Sequence, residues 1–173
     1  MGGQGGEALS GRSETAREVL GEEAFRQLLA WETSRATRYQ DFFSVCLIKP
    51  DALDATNGRA AELQRTIARK IAESLRASDV IGRIQDSTAV LLLHAASADA
   101  ARIAERICAD IGKVAFPGAS GGAPRSLTLS VGGVSFPRDG STDKALLSRA
   151  EANMHEATRR GGNRVVDGED SSR

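Results

Sequence analysis

Two short apolar runs, residues 79–84 (DVIGRI) and 88–94 (TAVLLLH), follow one another with only a short polar stretch between them. No other feature constrains the fold as strongly. Parallel strands need a crossover of a dozen residues or more, so a connection this short makes the two runs antiparallel neighbours in a hairpin. The polar pentad Gln85-Asp86-Ser87-Thr88-Ala89 lies at its turn, and Val90 to Leu93 read as a buried strand. The pentad therefore stands where a sheet edge would present chemistry, yet it holds one acid and no base, cysteine or histidine.

The other strand-like runs are separated by helical patterns. Residues 14–40 carry Leu20, Ala24, Leu28, Trp31 and Arg35 three or four apart, which predicts a helix with Leu20, Ala24, Leu28 and Trp31 as its apolar stripe. Residues 42–49 (FFSVCLIK) are β-rich, end at Pro50 and read as a central strand. A second helix carries Leu63, Ile67, Ile71 and Leu75, and a third, from Ala98 to about Ile111, carries Ile103, Ile107 and Ile111. Residues 116–126 read as a loop. Residues 127–136 (LTLSVGGVSF) alternate, which predicts a strand with one buried face. Ser141 or Thr142 caps a last helix holding Ala145, Leu146, Ala150, Met154 and Ala157. Gly161-Gly162-Asn163 closes that helix, and residues 164–166 form a final strand. A helix followed by β-α-β-β-α-β-α-β predicts an α+β sandwich, with single helices packed on one face of a mostly antiparallel sheet.

Composition narrows the functional classes. The chain has 173 residues, with 23 basic and 23 acidic side chains, so nothing marks it for a nucleic-acid polyanion. No stretch approaches the roughly 20 apolar residues of a membrane helix, and the start lacks the basic and apolar segments of a signal peptide. A cytoplasmic location is expected. Cys46 and Cys108 lie in apolar segments and read as buried thiols, with a disulfide as the alternative. His94 and His155 have no second His or Cys at ligand spacing, so no metal site is expected from them. Trp31 reads as an anchor on the first helix.

From about Arg35 to Val166 the blocks residues 34–48, 77–84, 89–93, 127–142 and 146–166 resemble, in order, the GGDEF domain of bacterial diguanylate cyclases. The resemblance implies a nucleotidyl-cyclase-like sandwich. It divides the chain into a disordered Gly-rich tail (1–13), a signalling or dimerisation helix (14–40), the domain (41–168) and a flexible tail (169–173). Family enzymes join two GTP molecules into cyclic di-GMP at a site shared by two subunits, with carboxylate-held metal ions on the phosphates.

The resemblance also shows what has changed. Counted from Arg83, the signature glycines fall on Gln85 and Asp86, the metal-binding acid on Ser87, the second acid on Thr88 and the aromatic on Ala89. The other metal carboxylate falls on Lys49. Two unit charges about 4 Å apart interact by ~4 kcal/mol at an effective dielectric near 20, so an ammonium there opposes a divalent ion by roughly twice that. Asp51 matches a further family acid that is not the principal ligand. The phosphate-contacting lysines fall on Asp54 and Thr158 and the following arginine on Gly162. In the guanine loop Asn57 stands for the family asparagine, while the acid falls near Ala60. These substitutions imply a degenerate active site with no catalytic residue, metal or cofactor.

One constellation is retained. Arg76 and Asp79 stand in the spacing R-x-x-D, five residues before the pentad. In the family this is the inhibitory site for cyclic di-GMP, which some members complete with arginines matched here by Arg102 and Arg106. Guanidinium groups suit that ligand, because they bind phosphate oxygens bidentately and stack on bases. The bland reading has Arg76 and Asp79 capping the second helix, and Arg102 and Arg106 on an ion-paired surface with Glu105 and Asp110. The expected function is a non-catalytic cyclic di-GMP receptor. The alternative is a nucleotide-independent interaction or dimerisation module with an unnamed protein partner or a second copy of itself. Less favoured is an enzyme or GTP binder of altered chemistry at the old site.

Overall fold

The computed structural model describes residues 18–51, 60–116 and 123–168. The Gly-rich start, Asp54, Asn57, the middle of the 116–126 loop and the last five residues lie outside the described residues. The elements run α1 (Glu22–Tyr39), β1 (Phe43–Pro50), α2 (Ala60–Glu73), β2 (Val80–Ile84), β3 (Ser87–Leu93), α3 (Ser97–Gly112), β4 (Leu129–Phe136), α4 (Asp143–Arg159) and β5 (Arg164–Val166). This is the order read from the sequence.

The five-stranded sheet has the order β2-β3-β1-β4-β5. β1 is its centre, antiparallel to β3 on one side and β4 on the other. β2 and β3 form the expected antiparallel hairpin, and β5 returns parallel to β4 after the α4 crossover. The fold is thus α+β with a mixed, mostly antiparallel sheet.

Helices cover both faces rather than one. Cys46, Ile48, Val90, Leu92, Leu129 and Val131 face Ile67 and Ile71 of α2 and Ile103 and Ile107 of α3. On the opposite face Phe43, Val45, Leu47, Ala89, Leu91 and Val134 meet Phe25 and Leu29 of α1 and Leu146, Ala150 and Met154 of α4. Successive residues of a strand point to opposite faces, so the central strand is apolar throughout. β4 is buried along its whole length, not on one face as its alternation predicted. Its small residues make room for a helix: a Cβ on Gly132 would lie 2.0 Å from the Ala150 carbonyl oxygen.

The first helix also differs in its buried face. Phe25, Leu29, Thr33 and Ala36 are buried, whereas Ala24 is exposed and Trp31 is 60% exposed. The helix starts at Glu22, because Leu20 is extended and pairs with the edge of β2. Leu20 N donates to the Ile81 carbonyl and Arg83 N to the Leu20 carbonyl, each at 3.0 Å. That strand of one residue satisfies an otherwise open sheet edge. At the other end of the chain Thr142 Oγ1 accepts the Ala145 N–H and caps α4, and Gly161 and Gly162 take positive φ after it.

Candidate functional site

The hairpin turn falls on Gln85 and Asp86, and Gln85 adopts the left-handed conformation at φ 52°. Family glycines reach that conformation without strain; here a side chain is carried there, steadied by the Gln85 N–H donating to Glu22 Oε2 at 2.9 Å. Ser87, Thr88 and Ala89 are not turn residues. They belong to β3 and are buried. Ser87 Oγ donates to Met154 Sδ at 3.4 Å, and Ala89 is packed in the core beneath α1 and α4.

The register of β1 against β3 brings the end of β1 beside this turn. Lys49 Nζ lies 2.5 Å from Asp86 Oδ2, and the hydrogen bond from Lys49 holds the Asp86 carboxyl below its ordinary pKa. Gln64 of α2 donates to the Asp86 carbonyl at 3.3 Å and ties the helix to the same turn. The position matched to one metal carboxylate thus carries an ammonium, already paired with the acid of the turn.

Asp51 is engaged elsewhere. Its carboxylate accepts from Thr128 Oγ1 at 2.6 Å, Ser130 Oγ at 2.5 Å and Asn163 N at 2.9 Å. It clasps the end of β1 to the start of β4 and to the α4–β5 turn. A Cβ on Gly162 would sit 2.6 Å from this carboxylate, so the residue matched to a phosphate-binding arginine is the one that lets the clasp close. Thr158 Oγ1 turns back to the Met154 carbonyl of its own helix. Among the described residues no group of three or more His, Cys, Asp or Glu is arranged to hold a metal ion. The donor set of Lys49, Ser87 and Thr88 does not fit the carboxylate-held cations that the family resemblance implies.

The second constellation lies at the end of α2. Asp79 is 5% exposed, and its Oδ2 accepts the Arg76 N–H at 2.8 Å, while Asp79 N donates to the Arg76 carbonyl at 3.0 Å. The carboxylate therefore locks the turn that holds Arg76 at the surface. Arg106 reaches across from α3 and donates to the Ser74 carbonyl at 2.7 Å, which brings it to the same turn. Arg102 keeps to its own helix, with Asp99 at 3.3 Å and the Ala98 carbonyl at 3.3 Å. The structure thus gathers Arg76, Asp79 and Arg106, and leaves Arg102 outside that group of contacts.

The remaining candidates have ordinary surroundings. His94 lies 3.2 Å from Asp41, and His155 lies 3.9 Å from Glu151, both largely exposed. Cys46 and Cys108 are free thiols, raised mainly by burial to about 12 and about 11. Sequence reasoning passed over Arg65 and Arg83, which line a cleft of about 290 Å³ between α2, the end of β1 and the hairpin. Nothing in their spacing distinguishes them from the other surface arginines.

An α+β sandwich with a β-hairpin turn beside the end of its central strand defines a nucleotidyl-cyclase-like domain. The sequence profile described as "Diguanylate cyclase, GGDEF domain" matches residues 18–164, α1 included, and the chain belongs to that family. The response regulator PleD of Caulobacter vibrioides is 33% identical over 138 residues, covering 76% of this chain and 30% of PleD. The chain therefore matches under a third of that relative's length. The solved GGDEF domain of YfiN (TpbB) from Pseudomonas aeruginosa superposes with a TM-score of 0.77 at 27% identity, over 87% of this chain and 96% of that one. DgcB of Caulobacter crescentus, solved as coiled coil and GGDEF domain with c-di-GMP, shares the fold with a TM-score of 0.75 at 16% identity, over 90% of this chain and 84% of that one. No helix among the described residues is long and apolar enough to cross a membrane.

Proposed function

We propose that this chain is a GGDEF domain that does not make cyclic di-GMP but binds it, through the turn held by Asp79. The observation that carries the first half is the Lys49–Asp86 pair, 2.5 Å apart, which sets an ammonium at the position matched to one metal carboxylate and ties it to an acid at the position matched to a signature glycine. Asp51, the remaining acid beside it, is occupied by hydrogen bonds to Thr128, Ser130 and Asn163. The second half is supported by the turn after α2, which carries Arg76 at the surface, held through its backbone by Asp79, and receives the Arg106 guanidinium at Ser74. Two guanidinium groups there suit a ligand with two phosphates and two purines. The burial of Asp79 gives it the role of holding Arg76 in place, and Arg102 contributes at the rim. The c-di-GMP in the DgcB structure shows that a domain of this fold binds the ligand.

Micromolar affinity corresponds to about −8 kcal/mol. Charge-assisted hydrogen bonds contribute roughly 1.5–3 kcal/mol each, so a few of them supply much of that. Calorimetric titration with cyclic di-GMP is expected to give micromolar or tighter binding. Arg76→Ala should abolish it, Arg106→Ala should weaken it strongly, and Arg102→Ala should weaken it less. Incubation with GTP and magnesium or manganese should yield no product by chromatography. Turnover proportional to protein would overturn the non-catalytic reading, and no heat at saturating cyclic di-GMP would overturn the receptor reading.

In that event a protein-interaction module takes its place. Trp31, Tyr39 and Phe42, at 60%, 68% and 44% exposure, are the large hydrophobic residues left at the surface among those described. They lie on α1 and the segment leading into β1, where an interface would use them.

A further inference from the structure

We infer that the cleft beside Lys49 and Asp86 binds a phosphomonoester of a flat ring without any divalent cation, the ammonium of Lys49 taking the part of the charge a metal would supply. This site is separate from the Arg76–Arg106 surface and does not depend on the receptor reading. It rests on an open cleft that carries two arginines and adjoins the Lys49–Asp86 pair, where the donor set does not fit a metal. The cleft, of about 290 Å³, has an apolar lining from Val19, Pro50, Ile67 and Ala68, and carries Arg65 and Arg83. That volume is near the lower bound for small-molecule sites, and apolar walls with a few convergent polar groups are their usual construction.

The charges around it favour an anion. Lys49, Arg65 and Arg83 are basic, and the carboxylate lining the cleft, Asp86, is already paired with Lys49. Glu22, on the far side of the turn, is taken up by the Gln85 N–H and by Arg26 at 2.8 Å. Arg83 makes one long contact, 3.5 Å to Gln64 Oε1, and Arg65 has no carboxylate partner among the described residues. Both guanidinium groups are exposed and able to turn onto a phosphate. Lys49 adjoins the cleft through Asp86, and an exposed pair of this kind is weak enough for a phosphate to compete with Asp86 for the ammonium. The apolar lining takes the ring. A triphosphate carried on metal is the wrong ligand here, and a monophosphate neutralised by protein cations is the right one.

The competition between Asp86 and the ligand for Lys49 gives the test its sign. Titration calorimetry with GMP and AMP in EDTA should show binding that added magnesium does not strengthen. Inorganic phosphate alone should bind more weakly, for want of the ring. Arg83→Ala and Arg65→Ala, both on exposed positions, should each weaken GMP by about tenfold, the loss of a charge-assisted contact. Asp86→Asn should tighten GMP by about threefold or more, because it frees Lys49 and removes a like charge. The same titrations on an Arg76→Ala, Arg106→Ala double variant, which removes the receptor surface, should still show GMP binding, so failure here and failure of the receptor reading are separable. Binding that requires magnesium, no binding at millimolar GMP in EDTA, or weaker binding by Asp86→Asn would each overturn the inference.

Discussion

At the scale of single residues, the glycines of β4 show how a side chain's absence can be misread. Alternation in residues 127–136 looks like a strand half in solvent, with Ser130 and Gly132 on the wet face. In the structure Gly132 faces α4, and an added Cβ would lie 2.0 Å from the Ala150 carbonyl and 2.3 Å from Met154 N. Neither obstacle is a flexible side chain, so accommodation requires the helix to move. Gly132→Ala is expected to destabilise the domain by about 3 kcal/mol, lowering Tm by roughly 10 °C. Gly133→Ala, where the nearest neighbour would be 3.6 Å away, is the matched control and should change Tm little. Thermal unfolding followed by circular dichroism compares the two. Lys49 and Asp51 belong to the same scale: separated only by Pro50, they are committed to different partners, the hairpin turn and the α4–β5 turn.

At the scale of elements, α1 carries two interleaved apolar patterns, and packing chose between them. Leu20, Ala24, Leu28 and Trp31 satisfy a helical period, and so do Phe25, Leu29, Thr33 and Ala36. The second set is buried because Phe25 fits against the bare backbone of Gly82 in β2, where a Cβ would lie 2.6 Å from the Phe25 ring. Phe25→Ala should therefore cost about 3–5 kcal/mol, as for a fully buried aromatic. Trp31→Ala should cost under about 0.5 kcal/mol, as for a surface substitution. Chemical denaturation of both variants measures the difference, and a large loss from Trp31→Ala would mean that its face is covered.

At the scale of the whole molecule, α1 is part of the sandwich. Without it Leu47, Ala89 and Leu91 would lose the Phe25 and Leu29 side of their core, and β2 would lose the Leu20 pairing at its edge. A version starting at Arg35 is expected to lose its cooperative thermal transition, read by circular dichroism. A version that melts like the full chain would show that α1 is dispensable to the fold. The apolar content of the strands reflects this two-sided burial, since β1 presents Cys46 and Ile48 to one helical layer and Val45 and Leu47 to the other.

The elements, their order, the β2–β3 hairpin and a cap at Ser141 or Thr142 were legible in the sequence, because periodicity, turn chemistry and capping act over a few residues. Tertiary structure alone decided which face each element buries and which charges meet. Lys49 and Asp86 are 37 residues apart, and Asp51 and Asn163 are 112 apart. The same is true of Arg106, which finds the Ser74 carbonyl across 32 residues while Arg102, one turn earlier on the same helix, stays with Asp99. Such meetings depend on strand register and on how closely a helix approaches the sheet. Those distances are set by the packed volumes of residues far apart in the chain, which no local pattern records.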